Sequence, residues 1–238
     1  MSHSAYAPPN ADLRTGTDEL GTGEFDFGRC MSEAWDNTWA NFGLWLGVSI
    51  VGGMAILLAV ITVIPALFVV PVLVWGFTQF YLRMHDRTAM FGDLFSGFSC
   101  YGRALGGMLL FSLAWLIIWL PGQVLSQIGA QSGDALLSLV SLIFSLASLV
   151  ILPRLVFTPL LMVDRGLSCP DALSRSWQVT ANVKWKMLGL MILQSLLIMA
   201  GVLFFFVGII PASVMSYLLV ISAYRQVVGG PLTAVEAH

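Results

Sequence analysis

The chain has 238 residues, of which 58% are hydrophobic and only 10% are charged. Soluble domains are about 25% charged, so this composition excludes an ordinary soluble protein and indicates one that lies in a membrane. The net charge is −2, and the first 41 residues carry seven Asp or Glu against two Arg, which argues against nucleic acid as a partner.

The N-terminal 25 residues are polar and rich in Gly, Ser, Thr and Pro. They lack the apolar segment of a cleavable signal peptide, so we predict a disordered acidic tail at 1–25. A membrane domain is predicted at 26–229, with a short C-terminal tail at 230–238. The first crossing would then act as an uncleaved insertion signal.

Long uncharged runs predict six membrane crossings. The run from Phe42 to Leu82 would be about 60 Å long as one helix, twice the roughly 30 Å hydrocarbon core, so it must cross twice. Pro65 lies near its middle, where a turn is needed. The run 187–224 repeats this arrangement with Gly208 and Pro211 near its turn, and a third hairpin between the two runs is predicted to turn at 121–134. The predicted crossings are about 42–63, 66–82, 104–120, 135–163, 187–207 and 210–226.

A short amphipathic segment precedes each hairpin, at roughly 25–41, 91–103 and 170–185. The third segment begins with Ser168, Pro170 and Asp171, which is a good helix start. The segments share a spacing: Ser32, Trp35 and Thr38 recur as Ser174, Trp177 and Thr180, and Phe95, Phe98 and Tyr101 hold these places in the middle segment. Chance similarity is the alternative to a threefold repeat. We therefore predict an all-α membrane protein with six transmembrane helices as three hairpins, each preceded by a cytoplasmic interfacial amphipathic helix.

Positive charge predicts the orientation. All eleven Lys and Arg fall on, or closest to, one side of the predicted crossings, and the opposite turns contain neither residue. Cytoplasmic loops are enriched in Lys and Arg, so both termini are predicted to be cytoplasmic, in a bacterial inner membrane. Aromatic anchors at the inner interface agree with this orientation, namely Trp35, Trp39, Trp177 and Trp185.

Arg154 is a charge inside an apolar run. It lies ten residues before Asp164, or about 15 Å along a straight helix, which places it near the middle of the bilayer. A charge there is costly and indicates a functional site. Alternatively the crossing ends near Leu152, and Arg154 extends to phosphate at the inner interface. Both interpretations favour a lipid phosphate as its ligand. The predicted lipid- or anion-binding residues are Arg154, Arg165, Arg175, Lys184 and Lys186.

Four serines form a stripe on the fourth crossing, at Ser138, Ser141, Ser145 and Ser148. Their spacing places them on one helix face, where small residues let membrane helices approach closely. A polar pathway is the alternative, but Arg154 points nearly away from this stripe. The two features therefore do not obviously form one conduit.

The sequence offers no convincing catalytic set. His85-Asp86 resembles a fragment of a metal or phosphohydrolase motif, but a solvated loop residue is the simpler interpretation of His85. Cys30, Cys100 and Cys169 form no C-x-x-C pair and are interpreted as reduced thiols. We therefore expect no catalytic residue, no metal and no cofactor.

Two motifs carry a resemblance to a known family. Asp93-Leu94-Phe95-Ser96-Gly97-Phe98, and 163–167 followed by 171–177, are similar to motifs of bacterial six-helix membrane proteins of unknown function. The ending Ala223-Tyr224-Arg225 fits as well. These proteins resemble the membrane domain attached to some glycerophosphodiester phosphodiesterases. The resemblance covers roughly 28–229 and implies six helices with cytoplasmic interfacial elements. Because the soluble barrel domain is lacking here, it implies no catalytic residue.

We therefore expect an integral membrane protein that is not an enzyme, and that organises lipid or scaffolds a partner membrane protein. The expected partners are membrane lipids, including anionic phospholipid at the cytoplasmic face, and a protein partner or a second copy of the chain. The alternative is a transporter or channel for a small amphiphile or anion that uses Arg154.

Overall fold

The computed structural model describes residues 26–61, 64–203 and 208–229. The predicted tails at 1–25 and 230–238 lie outside the described residues, as do positions 62–63 and 204–207 near two predicted turns. The described part is helical and contains no strand, which confirms the all-α fold class. Its α-helices are α1 (Phe27–Ala40), α2 (Phe42–Ile61), α3 (Ile64–His85), α4 (Ser96–Ser99), α5 (Tyr101–Ser132), α6 (Ala135–Leu155), α7 (Thr158–Asp164), α8 (Cys169–Ala181), α9 (Lys184–Leu203) and α10 (Ile209–Val228), and a 3₁₀ segment (Phe91–Phe95) precedes α4.

Five stretches of the described residues are long and apolar enough to cross a membrane, which is the mark of a multi-pass membrane protein. They are Phe42–Ile61, Ala66–His85, Tyr101–Ser132, Ala135–Asp164 and Lys184–Leu203. The helix α10 has 20 residues, as many as the shortest of these stretches, but it is not apolar enough to belong to this group. Its serines, its tyrosines and the pair Arg225-Gln226 make it more polar.

Burial explains the polarity of α10. Twelve of its 20 residues are buried, and it packs against α9, α1 and α3. By contrast α2, α5, α6 and α9 keep most of their apolar side chains exposed, as helices that face lipid do. Because α10 is surrounded by protein, its side chains meet hydrogen-bonding partners instead of hydrocarbon.

Local capping signals start the helices where the sequence indicates. Asp26 accepts a hydrogen bond from the Gly28 N–H (2.9 Å) at the start of α1. The predicted start of α8 is confirmed, because Ser168 caps the helix and Pro170 lies in its first turn.

The predicted turn at 121–134 is wrong in extent, because α5 continues through Pro121 to Ser132. The apolar pattern continues past the proline, and one missing N–H does not end a helix whose neighbours still pack. The turn is only Gly133 and Asp134. Gly133 has a left-handed φ of 69°, which suits glycine, and Asp134 caps α6 through the Leu136 N–H (2.9 Å).

The fourth predicted crossing, 135–163, is two helices. α6 ends at Leu155 soon after Pro153, and α7 begins at Thr158 with Pro159 in its first turn. Each proline lacks the N–H that would continue the helical ladder, so the chain breaks between them.

Each short helix packs chiefly against helices other than the two long helices that follow it in the chain. The 3₁₀ segment and α4 pack on α3, α8 packs on α6 and α7, and α1 packs on α10. The long helices pack in consecutive pairs: α2 with α3, α5 with α6, and α9 with α10. The second and third short segments therefore each contact the second helix of the pair that precedes them in the chain. The first short helix, α1, has no preceding pair and packs on α10, the second helix of the last pair.

Candidate functional site

Three helix ends meet in a cluster of charges, which we call the polar cluster and define as Asp86, Asp164 and Arg225. Arg225 lies on α10, Asp164 ends α7, and Asp86 follows α3. The Arg225 guanidinium donates to Asp86 Oδ2 (2.7 Å) and to Asp164 Oδ2 (3.0 Å). Asp164 also accepts from the Tyr224 hydroxyl (2.8 Å). One buried cation thus joins the ends of three helices, with both carboxylates hydrogen-bonded as buried charges require.

The helix α1 is attached beside this cluster through Glu33. The Ser222 hydroxyl of α10 donates to Glu33 Oε2, and Arg29 donates to Glu33 Oε1 (2.8 Å). His85 lies between two carboxylates, with Nε2 3.6 Å from Glu33 Oε2 and Nδ1 3.5 Å from Asp86 Oδ1. The contact His85–Asp86 links α1 to the polar cluster.

These surroundings shift the carboxyl pKa values downward. Burial of Glu33 alone would raise its pKa, but the hydrogen bonds from Ser222 and Arg29 outweigh burial and hold the pKa below its ordinary value. Burial opposes the shift at Asp86 as well, and there His85 and Arg225 lower the pKa. Both groups are therefore ionised at neutral pH, and their charges favour the folded arrangement.

The three short helices share one mode of packing. Aligned by the sequence repeat, Ala34, Gly97 and Ser176 take equivalent places and all three are buried. The residue that follows each is aromatic and exposed: Trp35 (53%), Phe98 (44%) and Trp177 (42%). Residues 32–38 and 174–180 have the same burial class at every position. The structure therefore supports a repeat over chance similarity.

Small residues are needed at these contacts because backbones touch there. A Cβ on Gly97 would lie 2.3 Å from the Val72 carbonyl oxygen, and one on Gly76 only 1.8 Å from the Leu94 carbonyl oxygen. In the third unit, the Ser176 hydroxyl donates to the Arg154 carbonyl (2.6 Å). Pro159 and the helix break nearby leave carbonyls without helical donors, so this bond from α8 satisfies one of them.

Arg154 lies on the last turn of α6, against α8. Its guanidinium carbon is 4.4 Å from the centroid of the Trp177 ring, a cation–π contact. Its Nε is buried without a hydrogen-bond partner, and within the described part of the chain no acidic side chain pairs with it. Two predicted site residues, Arg154 and Trp177, are thus in contact.

The other predicted site residues are spread around this contact. Arg165 lies beside Asp164, with Nε 3.3 Å from Oδ2, so it belongs to the polar cluster's surroundings. Arg175 is partly buried on α8, and Lys184 and Lys186 lie in the first turn of α9. Trp185 is 74% exposed between the two lysines.

On α1, the predicted anchors are in contact with each other. Trp35 and Trp39 are both about half exposed, and their ring centroids lie 5.6 Å apart. The Trp39 ring in turn stacks on Phe42, the first residue of α2 (5.8 Å).

The serine stripe faces the neighbouring helix. A Cβ on Gly129 of α5 would lie 3.0 Å from the Ser138 hydroxyl, and one on Gly122 would lie 3.4 Å from the Ser145 hydroxyl. Ser141 and Ser148 donate to carbonyls of their own helix (2.8 Å each). This arrangement matches the packing interpretation of the stripe.

The cysteines are free thiols, with Cys30 and Cys169 buried. Burial raises the pKa of Cys30 to about 11 and also raises the pKa of Cys169. Among the described residues, no three His, Cys, Asp or Glu side chains are grouped so that they could hold a metal ion.

Sequence reasoning missed the polar cluster, although a signal for it exists. An acidic residue or a tyrosine followed by arginine recurs three times: Asp86-Arg87 after α3, Asp164-Arg165 at the end of α7, and Tyr224-Arg225 in the last part of α10. Each dipeptide read alone is a solvated helix end. Their recurrence marks three comparable positions, and the folded structure shows that these positions meet.

No protein-family model, curated protein or solved structure matches this chain.

Proposed function

We propose that this is a membrane protein without catalytic activity that organises anionic phospholipid, and that Arg154 and Trp177 bind the lipid phosphate. The observation that carries this proposal is the position of Arg154. Its guanidinium stacks on an exposed Trp ring, its Nε is buried, and no described acidic side chain neutralises it.

The chemistry of this pair suits a phosphate. A guanidinium presents its donors along its edge, in a geometry that matches two phosphate oxygens, while its face stacks on an aromatic ring. The Trp177 ring occupies the face of Arg154 and holds its plane. Arg154 is partly buried, and none of the described acids offsets its charge. An anionic ligand would therefore stabilise this cation.

The proposed topology places this pair at the inner interface. Asp134 caps α6 and Arg154 lies 20 residues later, so a straight helix between them is about 30 Å long, the thickness of the hydrocarbon core. Asp134 and Arg154 would then lie at the two boundaries of the hydrocarbon core. The amphipathic helix α8 beside Arg154 is the kind of segment that lies along an interface.

Within this proposal α10 is the sixth crossing, so that three hairpins span a bacterial inner membrane with both termini in the cytoplasm. The one-sided distribution of Lys and Arg supports this orientation. Membership of the six-helix family remains part of the proposal. The three short helices support this membrane arrangement as well, since each one exposes an aromatic side chain suited to the headgroup layer.

Native mass spectrometry of the protein released from vesicles of phosphatidylglycerol and phosphatidylethanolamine would test the proposal. We expect Arg154→Leu to reduce bound phosphatidylglycerol about tenfold or more, since a charged hydrogen bond contributes about 1.5–3 kcal/mol and 1.4 kcal/mol is about tenfold. Arg154→Lys should retain part of the binding, because the ammonium keeps the charge but loses the planar edge.

Arg103→Leu is the matched control, since Arg103 is exposed on α5 and forms no ion pair with a described residue. Equal phosphatidylglycerol retention in all the variants would contradict the proposal. Reproducible solute flux through proteoliposomes that depends on Arg154 would instead establish the transporter alternative.

A further inference from the structure

A cavity separate from the Arg154 contact lies between α5, α7, α9 and α10. Its volume is about 590 Å³, within the roughly 300–1,000 Å³ of small-molecule sites. Phe111, Trp115, Leu116 and Trp119 of α5 form one wall, and Pro159 and Leu160 of α7 form another.

The lining determines what charge an occupant can carry. Among the residues that the structure describes, no charged side chain lines the cavity, and the polar lining groups are Ser112, Gln194 and Tyr217. An ionised ligand would lose its hydration there without gaining a counter-charge, which is costly. The lining therefore selects an uncharged ligand with a largely apolar body.

Gln194 provides the polar contact for such a ligand. It lies on α9, inside a stretch apolar enough to cross a membrane, and it is partly buried. Its carboxamide has two donors and an acceptor, yet it makes no hydrogen bond to another described residue. The Tyr217 hydroxyl, in contrast, already bonds the Thr78 hydroxyl (3.0 Å).

The cavity is reached from the side of the helix bundle. Leu116 and Trp119 line it and are also 48% and 44% exposed, on a surface with the character of one that faces lipid. A molecule dissolved in the bilayer can enter between helices without crossing an aqueous phase.

We propose that this cavity binds a neutral amphiphile, a bilayer-soluble molecule with a carbonyl or hydroxyl group, and that Gln194 hydrogen-bonds that group. The aromatic walls hold the apolar body, and the Gln194 carboxamide replaces the hydrogen bonds that the polar group makes with water. The ligand class differs from the anionic lipid proposed for Arg154, and Arg154 does not line the cavity, so the two sites can be tested separately.

A photoreactive monoacylglycerol with a diazirine in its acyl chain would test the site in proteoliposomes of the full chain. We expect cross-links concentrated on residues 111–119, read by peptide mass spectrometry. Leu116→Trp, which fills the cavity, should reduce this labelling about tenfold. Gln194→Met keeps the side-chain size but removes the hydrogen bond, and should reduce it about fivefold, as the loss of one hydrogen bond predicts.

The controls separate the cavity from general lipid contact. Leu113→Trp makes the same change on the same helix, at a residue that is 53% exposed and does not line the cavity, and should leave labelling unchanged. Arg154→Leu should also leave it unchanged, so this site can fail or hold independently of the phosphate site. If Leu116→Trp does not fold, Gln194→Met alone decides the outcome.

Two results would overturn the proposal. One is labelling that is equal in Leu116→Trp, Gln194→Met and Leu113→Trp proteins, which would mean nonspecific contact with lipid. The other is equal labelling by a diazirine alkyl sulfonate of the same chain length, whose headgroup stays ionised in the bilayer, which would show that the cavity does not select neutral ligands.

Discussion

Arg225 Nη2 and Asp86 Oδ2 lie 2.7 Å apart, although 139 residues separate them along the chain. Both side chains are largely buried, with 8% and 22% of their surface exposed. Together with Asp164 they join the ends of α3, α7 and α10. The cluster therefore joins the first and last helix pairs to α7, the short helix that follows the middle pair.

Removing the cation of the polar cluster should destabilise the fold. Arg225→Leu leaves the carboxylates of Asp86 and Asp164 without their shared partner, and such a buried loss costs about 3–5 kcal/mol. The free energy of unfolding in mixed detergent micelles would measure this loss. Arg29→Leu is the control, since Arg29 is 70% exposed and its pair with Glu33 should contribute less than about 1 kcal/mol. Similar losses in the two variants would show that the cluster is not structurally special.

The close approach of α3 to the 3₁₀ segment should not tolerate a methyl group. A Cβ at Gly76 would lie 1.8 Å from the Leu94 carbonyl oxygen, so Gly76→Ala forces the backbones apart. Gly106→Ala in α5 meets no atom within 4 Å and should be neutral or stabilising by up to about 1 kcal/mol. Thermal unfolding of the two variants side by side tests this difference. A Gly76→Ala protein as stable as Gly106→Ala would refute the contact.

Stability should depend on acidic pH through Glu33 and Asp86. Their folded-state pKa values lie below the ordinary values of 4.5 and 3.8. Each group therefore contributes stability that is complete above its ordinary pKa and is lost as the pH falls through the folded value. We would measure the thermal unfolding temperature from pH 7 to pH 3. Glu33 and Asp86 should leave this temperature unchanged above about pH 5.5 and lower it progressively at more acidic pH.

Glu33→Gln identifies the share of that effect that comes from α1. The variant cannot ionise at this position, so its unfolding temperature should depend less on pH below about pH 5. Identical pH profiles for the variant and the unaltered protein would contradict the role of Glu33.

The thiol of Cys30 should report whether α1 is attached. Its pKa of about 11 and its burial keep the reactive thiolate rare at pH 8. We expect Cys30 to react with a small maleimide much more slowly than Cys100, which is only partly buried. Ala34→Leu, which enlarges a fully buried residue on the packed face of α1, should speed the reaction of Cys30 and leave Cys100 unaffected. Fast labelling of Cys30 in the unaltered protein would mean that α1 does not pack as described.

The sequence by itself determined the class of protein and most helix positions. Uncharged runs locate apolar helices because hydrocarbon excludes charge, and Asp26 and Ser168 mark helix starts through local hydrogen bonds. Such signals act over a few residues, so one chain suffices to read them. The threefold spacing around Trp35 and Trp177 was readable as well, since it is a linear repeat.

Only the tertiary structure decided which helix ends meet and which helix is enclosed. α10 is less apolar than the five candidate spans, and two of its polar side chains, Ser222 and Arg225, bond Glu33 and Asp86, which are distant along the chain. Pro121 reads as a turn, but α5 continues because its packing against α6 outweighs one lost hydrogen bond. The cavity beside Gln194 arises from four helices at once. Composition and spacing do not encode such contacts, because each depends on the distance between residues that folding alone brings together.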